Sequence, residues 1–203
     1  MIIEGLLTTT ASDGSPHVAP MGPVVDEDLQ TWTLRPFASS TTFRYLQANP
    51  QCVFHVVDDV LPVVQATLGL PTNLSFESLP GTTGHDKPKH ASDSATDGAW
   101  SISSACQWYH LHVTEWDTSQ PRSLAKTRLI EQRVQRPFWG WNRAKHAILE
   151  ATILASRIHL LEPETLDAEL AKHEVAIHKT AGERELQAWQ LLKDFFEASA
   201  HGK

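Results

Sequence analysis

Apolar and polar residues follow two different patterns of spacing along this chain. Short runs of β-branched and apolar residues separated by turn residues fill the first two thirds, whereas apolar residues recur at helical spacing in the last third. Runs of the first kind predict β-strands and repeats of the second kind predict amphipathic helices. The predicted strands cover residues 2–10, 16–25, 29–35, 51–57, 100–116 and 124–135. The predicted helices cover residues 41–48, 142–160, 163–173 and a last stretch that ends near 199.

The first three strands are predicted to form an antiparallel meander. Asp13-Gly14 favours a tight hairpin between the first and second strands. The second strand contains Pro20 and Pro23, which cannot donate ladder hydrogen bonds, so we expect it at an edge or at a break in the sheet. The last helix should begin at a capping box, Thr180 with Glu183 three residues later.

Three further stretches are less regular. Residues 60–70 fit a short helix or an extended segment, since Pro62 argues against a long helix. Residues 124–135 have a helical composition, but their place after a strand and a turn leads us to favour a strand. Residues 71–98 are rich in Ser, Thr, Asp, Gly and Pro, and we interpret them as a long surface loop.

Composition excludes several classes of protein. The 203 residues are 41% hydrophobic and 20% charged, which is typical of a globular chain able to bury a core without metals or disulfides. The formal net charge of −7 disfavours non-specific nucleic-acid binding. No apolar run approaches the roughly 20 residues of a membrane span, and the N-terminus does not resemble a signal peptide. We therefore expect a cytoplasmic protein.

Cysteine and histidine usage points to no metal centre. Cys52 and Cys106 lie in separate apolar segments, and we interpret them as buried free thiols in a reducing compartment. The eleven histidines are scattered, and His110 with His112 is the one close pair. No HExxH motif and no Cys/His cluster with zinc spacing is present in the sequence.

A cluster of hydroxyl residues opens the first predicted helix. Ser39, Ser40, Thr41 and Thr42 follow a strand and Pro36, and Arg35 and Arg44 flank the cluster at residues 35–44. The first N–H groups of a helix are unpaired and carry partial positive charge, so this start can bind an anion such as phosphate. The alternative is a plain N-cap that only satisfies the helix.

A second basic helix start lies near residue 142. Asn142 is a plausible N-cap, and Lys145 and His146 share a face with it at the start of the helix. This group is a second candidate anion contact. A solvated face with a capping Asn explains the same residues equally well.

Two stretches carry a family resemblance, Arg35-Pro-Phe-x-Ser-Ser-Thr-Thr-x-Arg44 and residues 136–151, RPFWGWNRAKHAILEA. Shorter matches at residues 3–9, 19–23 and 55–59 add to it. The chain resembles a flavin reductase-like family of FMN-binding split barrels of unknown function, domain of unknown function 447. The resemblance spans nearly the whole chain apart from residues 71–98.

The resemblance implies an α+β fold, mainly β with helices, in which a six-stranded antiparallel split barrel is followed by C-terminal helices. Residues 1–135 would form the barrel with the flavin phosphate site and the 71–98 loop. Residues 136–203 would pack on the barrel and on the partner of a homodimer. Which subunit supplies the residues after 141 to the flavin stays open.

The resemblance also implies which residues hold FMN. Arg35, Pro36 and Phe37 would run along the ring system, and Thr8, Thr9 and Met21 would lie near it. Ser39, Ser40, Thr41 and Thr42 would hold the phosphate, as the hydroxyl cluster suggests independently. Asn142, Arg143 and Lys145 would close the pocket.

The leading functional hypothesis is an FMN-dependent oxidoreductase of unknown substrate, with a nicotinamide as the candidate electron donor. A non-catalytic flavin carrier is the alternative, and a binder of pyridoxal phosphate or a pterin is a third. No catalytic residue stands out. His55, Asp58 and His146 are candidate acids or bases, but a core or surface role is favoured for each.

Overall fold

The computed structural model describes residues 1–79 and 98–201. The strands in this part are β1 (Gly5–Thr10), β2 (Pro16–Met21), β3 (Val24–Val25), β4 (Thr31–Leu34), β5 (Gln51–Val56), β6 (Phe76–Leu79), β7 (Ala99–Ile102), β8 (Gln107–Asp117) and β9 (Leu124–Val134). The helices are α1 (Thr41–Ala48), α2 (Leu61–Thr67), α3 (Arg143–Ser156), α4 (Pro163–Thr180) and α5 (Glu183–His201), with a 3-10 turn at Ile158–Leu160. None of the helices in these residues is long and apolar enough to cross a membrane.

The chain divides into two compact units. The sheet unit comprises Met1–Val57 and Leu74–Pro137, and the helical unit comprises Asp58–Asn73 and the chain from Phe138 onward. Residues 58–73, which the predicted boundary at 135/136 assigns to the barrel, therefore belong to the helical unit. Helix α2 lies in this segment, with Pro62 in its first turn, where the missing N–H costs no helical hydrogen bond.

Seven antiparallel strands form the main sheet, in the order β2-β1-β5-β8-β9-β4-β3. The expectation of six strands was wrong, because the chain breaks at Gly22-Pro23 and Val24–Val25 form a strand of their own. Both pairings of the expected meander are present, β1 with β2 and Val24–Val25 with β4, but the break in the second strand leaves β2 and β3 at opposite ends of the order.

The sheet curls back on itself at these two ends. Only Gly22 and Pro23 separate β2 from β3, and Ile2 bridges to Val24 of β3. The chain before β1 thus pairs with the far end of the sheet, and the result is a half-barrel. Gly5 permits the close pairing of β1 with β5, because a Cβ there would lie 2.3 Å from the carbonyl oxygen of His55.

The inner face of the curled sheet carries the core of this unit. The Trp32 ring lies 5.2 Å from that of Phe54 and 4.6 Å from that of Tyr109, measured between centroids. Leu46 of α1 joins this cluster, so α1 packs on the inner face. Burial of each large apolar side chain contributes about 1.5–3 kcal/mol, which makes this cluster the main support of the sheet.

The outer face is covered in part by the β6–β7 hairpin, where Ala99 packs against Val53 and Trp108. Phe76–Leu79 pair with Ala99–Ile102, so the start of the predicted 71–98 loop is in fact a strand. The rest of that predicted loop, residues 80–97, lies outside the described residues. The predicted strand at 100–116 is two strands, because residues 103–106 form a turn between β7 and β8.

In the helical unit, α3 packs by a stripe of alanines and Ile148 against α4 and α5. The predicted stripe of α3 is confirmed, whereas α4 continues to Thr180, well beyond residue 173. The predicted capping box is wrong, since Thr180 is the last residue of α4. The N–H of Gly182 instead donates to the Glu185 carboxylate at 2.9 Å.

Candidate functional site

The start of α1 presents unpaired backbone donors. Ser40 is the N-cap, and its Oγ accepts the N–H of Phe43 at 3.1 Å. The N–H groups of Thr41 and Thr42 donate to no acceptor within the described part of the chain. These two donors, together with the helix dipole, form a local centre of positive potential suited to an anion.

Two arginines add charge to this helix start. The Arg44 guanidinium is exposed, and its Nη2 donates to Thr41 Oγ1 at 3.1 Å. The Nε of Arg35 is buried and has no hydrogen-bond partner among the described residues. A buried unpaired donor is uncommon in a folded protein and indicates a missing polar partner.

The four hydroxyl residues differ in accessibility. Ser39 is exposed and Ser40 and Thr41 are half-buried, whereas Thr42 is only 5% exposed. A ligand can therefore reach the hydroxyls of the first three, and Thr42 offers its backbone N–H. The predicted cluster thus contains two kinds of donor, which the sequence does not distinguish.

Thr8 and Thr9 face opposite sides of β1, as neighbours on a strand must. The Thr8 hydroxyl lies within hydrogen-bond distance of the carbonyls of Trp100 and Val53, so its single proton is committed to tying the hairpin to the sheet. The Thr9 hydroxyl is buried, with no partner among the described residues. Their side chains therefore cannot both line one ring, and only Thr9 has a hydroxyl to offer.

Thr9 is linked to α1 by two aromatic side chains that the sequence did not single out. His17 pairs with Thr9 across the β1–β2 ladder, on the same face. Its ring lies 5.3 Å from that of Tyr45 in α1, in an edge-to-face arrangement, and burial lowers the pKa of His17. Met21 stands on this face too, opposite Gly5.

The segment Pro36–Ala38 is held by the turn between β8 and β9. Phe37 and Arg122 form a β-bridge, and the Arg122 guanidinium lies 4.5 Å from the centroid of the Phe37 ring. The sequence predicts only that a turn separates the strands at 100–116 and 124–135. Nothing in the chain order indicates that this turn lies against residues 36–38.

The candidate acids and bases have structural roles. His55 is fully buried, with Nδ1 at 3.2 Å from the Leu6 carbonyl and Nε2 accepting the Ile102 N–H at 3.0 Å. Burial lowers its pKa to about 4, so it is neutral at physiological pH. The Asp58 carboxylate accepts the Trp139 N–H, and exposed His146 stacks on Trp141. His55 therefore lies in the core with both ring nitrogens engaged, as favoured, and the surface role of His146 stays a prediction.

The close histidine pair is also accounted for by local contacts. His110 Nε2 lies 3.0 Å from Gln51 Oε1, and burial together with neighbouring His112 lowers the pKa of His110 to about 4. No group of three or more His, Cys, Asp or Glu side chains within residues 1–79 and 98–201 is placed to hold a metal ion.

The start of α3, in the helical unit, is largely satisfied. Asn142 is the N-cap, with its Oδ1 accepting the Lys145 N–H at 3.1 Å and its Nδ2 donating to the Thr180 carbonyl. The Lys145 ammonium lies 3.8 Å from the Glu185 carboxylate. Exposed Arg143 is the one predicted residue here whose side chain has no partner among the described residues.

A separate cleft of about 270 Å³ lies between the β6–β7 hairpin and the β8–β9 pair. None of the predicted site residues is among the described residues that line it. The lining residues are Glu77, Leu79, Ser101, Ser103, Trp108, Arg133, Val134 and Gln135.

Two family models match this chain. A model described as the N-terminal domain of a protein of unknown function, DUF447, matches residues 3–136. A second model, described as a protein of unknown function, DUF447, matches residues 142–194. No curated protein matches the chain in sequence.

Solved structures resemble this one. An FMN-bound protein of the same family from Methanosarcina mazei has a TM-score of 0.75 and 19% identity, with 96% of this chain and 94% of that chain covered. The flavin reductase of styrene monooxygenase from Pseudomonas putida S12 has a TM-score of 0.46 and 12% identity, covering 66% of this chain and 80% of that chain. The first of these similarities shows a shared fold.

Proposed function

The chain belongs to the DUF447 family, and on this premise we propose that it binds FMN in the sheet unit and acts as an FMN-dependent oxidoreductase. The observation that carries the proposal is the start of α1, where two backbone N–H groups without an acceptor in the described residues lie beside accessible hydroxyls and Arg44. The unpaired buried Nε of Arg35 precedes them in the chain. The FMN-bound relative from M. mazei supports the choice of ligand.

Polar groups near the start of α1 fit the phosphate end of FMN, and a polar group on the inner face of β1 fits its ring end. Ser39, Ser40 and Thr41 would donate their hydroxyls to the phosphate, and the N–H groups of Thr41 and Thr42 would donate beside them. Arg35 and Arg44 supply the charge. Charge-assisted bonds of this kind are about twice as strong as neutral ones, so the phosphate end would supply much of the affinity.

The ring end has fewer assigned contacts. Pro36 and Phe37 follow Arg35 and would lie along the flavin, with Met21 on the inner face of β2. The hydroxyl of Thr9 lacks a partner in the described residues and would hydrogen-bond the polar edge of the ring. Thr8 is not part of the proposed site, because its hydroxyl is already bonded to Trp100 and Val53.

Bound flavin supplies the hydride and electron transfer, and the protein residues bind and orient it. None of the proposed contacts is a general base, and His55 has both ring nitrogens engaged. We therefore propose a reductase in which a nicotinamide delivers a hydride, because this transfer needs no protein acid or base. The same observation favours a non-catalytic flavin carrier as the second candidate.

We also propose a homodimer, supported by an exposed aromatic segment at the start of the C-terminal part. Phe138, Trp139 and Trp141 are 46%, 85% and 86% exposed, and large aromatic side chains are enriched at protein interfaces. Cys52 and Cys106 are buried and form no disulfide, and burial raises the pKa of Cys52 to about 12. Reduced cysteines are compatible with the proposed cytoplasmic location.

Absorption spectroscopy after incubation with FMN and desalting tests ligand binding. Retained flavin bands are expected, and a colourless folded protein would contradict the proposal and direct the search to pyridoxal phosphate or a pterin. Anaerobic addition of NADH or NADPH then tests catalysis. Rapid bleaching of the bound flavin is expected of a reductase, whereas persistent colour with both donors would favour the carrier.

A further inference from the structure

The turn between β8 and β9 is fixed against the segment that precedes α1. The Ala38 N–H donates to the Pro121 carbonyl at 3.1 Å, and the Ser123 N–H donates to the Pro36 carbonyl at 3.0 Å. These two bonds flank the Phe37–Arg122 bridge. The turn therefore cannot move independently of the residues that lead into the hydroxyl cluster.

Arg122 is the residue that this arrangement brings to the segment immediately before the hydroxyl cluster. Its guanidinium lies over the half-exposed Phe37 ring at 4.5 Å, a distance at which a cation is attracted to an aromatic face. The Phe37 carbonyl in turn accepts the Ser40 N–H at 2.9 Å. Arg122 is thus held next to the residue that turns the chain into the helix N-cap.

A second, independent observation comes from unpaired buried polar atoms at the same junction. Ser123 is fully buried, and its Oγ has no hydrogen-bond partner among the described residues. The Nε of Arg35, immediately before Pro36, is also buried and unpaired. Such atoms are rare. One belongs to the residue before Pro36 and the other to the residue whose N–H binds the Pro36 carbonyl, so both point to a polar partner at this junction.

We propose that the β8–β9 turn forms the second wall of the FMN phosphate site, and that Arg122 is the residue that selects FMN over riboflavin. This inference rests on the proposed function. A phosphate monoester carries a charge of about −1.5 to −2 at pH 7, whereas riboflavin carries no phosphate. Arg122 would bind the phosphate in addition to Arg35 and Arg44, so its contribution would be present for FMN and absent for riboflavin.

The identity of the cation matters as well as its charge. A planar guanidinium can stack on Phe37 and still direct two N–H groups at phosphate oxygens, which a lysine ammonium cannot do.

The test compares the dissociation constants of FMN and riboflavin for the full chain and three variants. Arg122→Gln should weaken FMN about tenfold or more and leave riboflavin within about twofold, so the ratio of the two constants falls by the same factor. Arg122→Lys should lie between these values. Arg133→Gln is the matched control, because Arg133 is an exposed arginine near the other end of β9 and pairs with Trp108.

Different results would contradict the role of Arg122 and the binding of FMN. An unchanged ratio in Arg122→Gln would overturn the inference, and so would equal losses of FMN and riboflavin, which would give Arg122 a structural role only. If Arg122→Gln does not fold, Arg122→Lys decides the matter by the same ratio. A wild-type chain that does not bind FMN would overturn the proposed function itself.

Discussion

Helices α1 and α3 both begin at a polar N-cap with basic residues nearby, and both starts are candidate anion sites by sequence. In α1, Ser40 caps one N–H, and those of Thr41 and Thr42 find no acceptor in the described residues. In α3, Asn142 caps one N–H and the Thr180 hydroxyl accepts that of Ala144 at 3.0 Å. Only the Arg143 N–H is left over at that helix start in the same set of residues.

The basic side chains near the two helix starts also differ in whether they have a partner. Lys145 lies near Glu185, whereas Arg35 has a buried nitrogen with no partner among the described residues. Packing against α4 and α5 has thus satisfied the start of α3 from within its own unit. The comparison teaches that a helix start binds a ligand only where the rest of the fold leaves its donors unused.

The largest effect is expected from the start of α1. Replacing both Ser40 and Thr41 with Ala should weaken FMN binding by about 2–3 kcal/mol, roughly 30-fold to 150-fold, because two hydroxyl donors to a charged phosphate are lost. Isothermal titration calorimetry measures the change. Riboflavin is the control ligand, and its affinity should stay the same.

The Ser40 change also removes an N-cap, which costs about 1 kcal/mol of stability. A melting curve separates this loss from the loss of ligand contacts. Unchanged FMN affinity in a folded double variant would show that the phosphate does not bind at the start of α1. The starts of α1 and α3 would then not differ as anion sites.

Acid should affect the sheet unit through His55. Burial lowers the pKa of His55 to about 4, against about 6.5 in an unfolded chain. As the pH falls from 6.5 to 4, the unfolded chain binds a proton that the folded chain does not, so stability falls through this window. His55 should contribute a loss of roughly 2 kcal/mol between pH 7 and pH 5, and His110, whose pKa is also lowered to about 4, should add a loss of similar size.

Urea unfolding at the two pH values measures this loss. His55→Gln should show a smaller pH dependence than the wild type, even if it is less stable throughout. His159→Gln, at an exposed position in the helical unit, is the control and should keep the wild-type dependence. Equal pH dependence in His55→Gln and the wild type would show that His55 is not the source.

A smaller effect, on stability alone, is expected at the start of α3. Asn142→Ala should lower the free energy of unfolding by about 1 kcal/mol, because the cap and the bond to the Thr180 carbonyl are both lost. FMN affinity should stay within about twofold of the wild type. A tenfold loss of FMN affinity would instead support the flavin contact that the family resemblance implies.

The smallest effect is expected for Lys145→Gln. Its ion pair with Glu185 is long, at 3.8 Å, but both side chains are largely buried, so we expect a loss of about 0.5–1 kcal/mol in urea unfolding, the upper part of the range for exposed pairs. FMN titration of the same variant should give the wild-type affinity. Weaker FMN binding would mean that Lys145 reaches the flavin and that both helix starts serve it.

Sequence patterns predicted those features that depend on neighbours in the chain. The Ser40 and Asn142 caps, the apolar stripe of α3 and the strand at Leu124–Val134 all follow from local spacing. The hydroxyl cluster also stands where its local pattern put it, at the first turn of a helix. Whether it holds FMN stays a prediction.

Features that depend on distant partners could not be found in this way. Thr180 looked like a cap for the last helix, but its hydroxyl accepts from Ala144, 36 residues away. Phe76–Leu79 look like loop because the strand is short and its partner begins only at residue 99. Arg122 carries no local signal at all, and its place over Phe37 follows only from the way the sheet curls.

The prolines of β2 bear on how copies of this protein can meet. β2 is an edge strand, and Pro16 and Pro20 stand opposite Thr10 and Leu6 of β1. Backbone groups on a strand alternate in direction, so Pro16, Val18 and Pro20 share the outward side. Only Val18 has an N–H to offer there. This edge is therefore a poor template for the addition of another strand, which protects the sheet against fibril-like growth there.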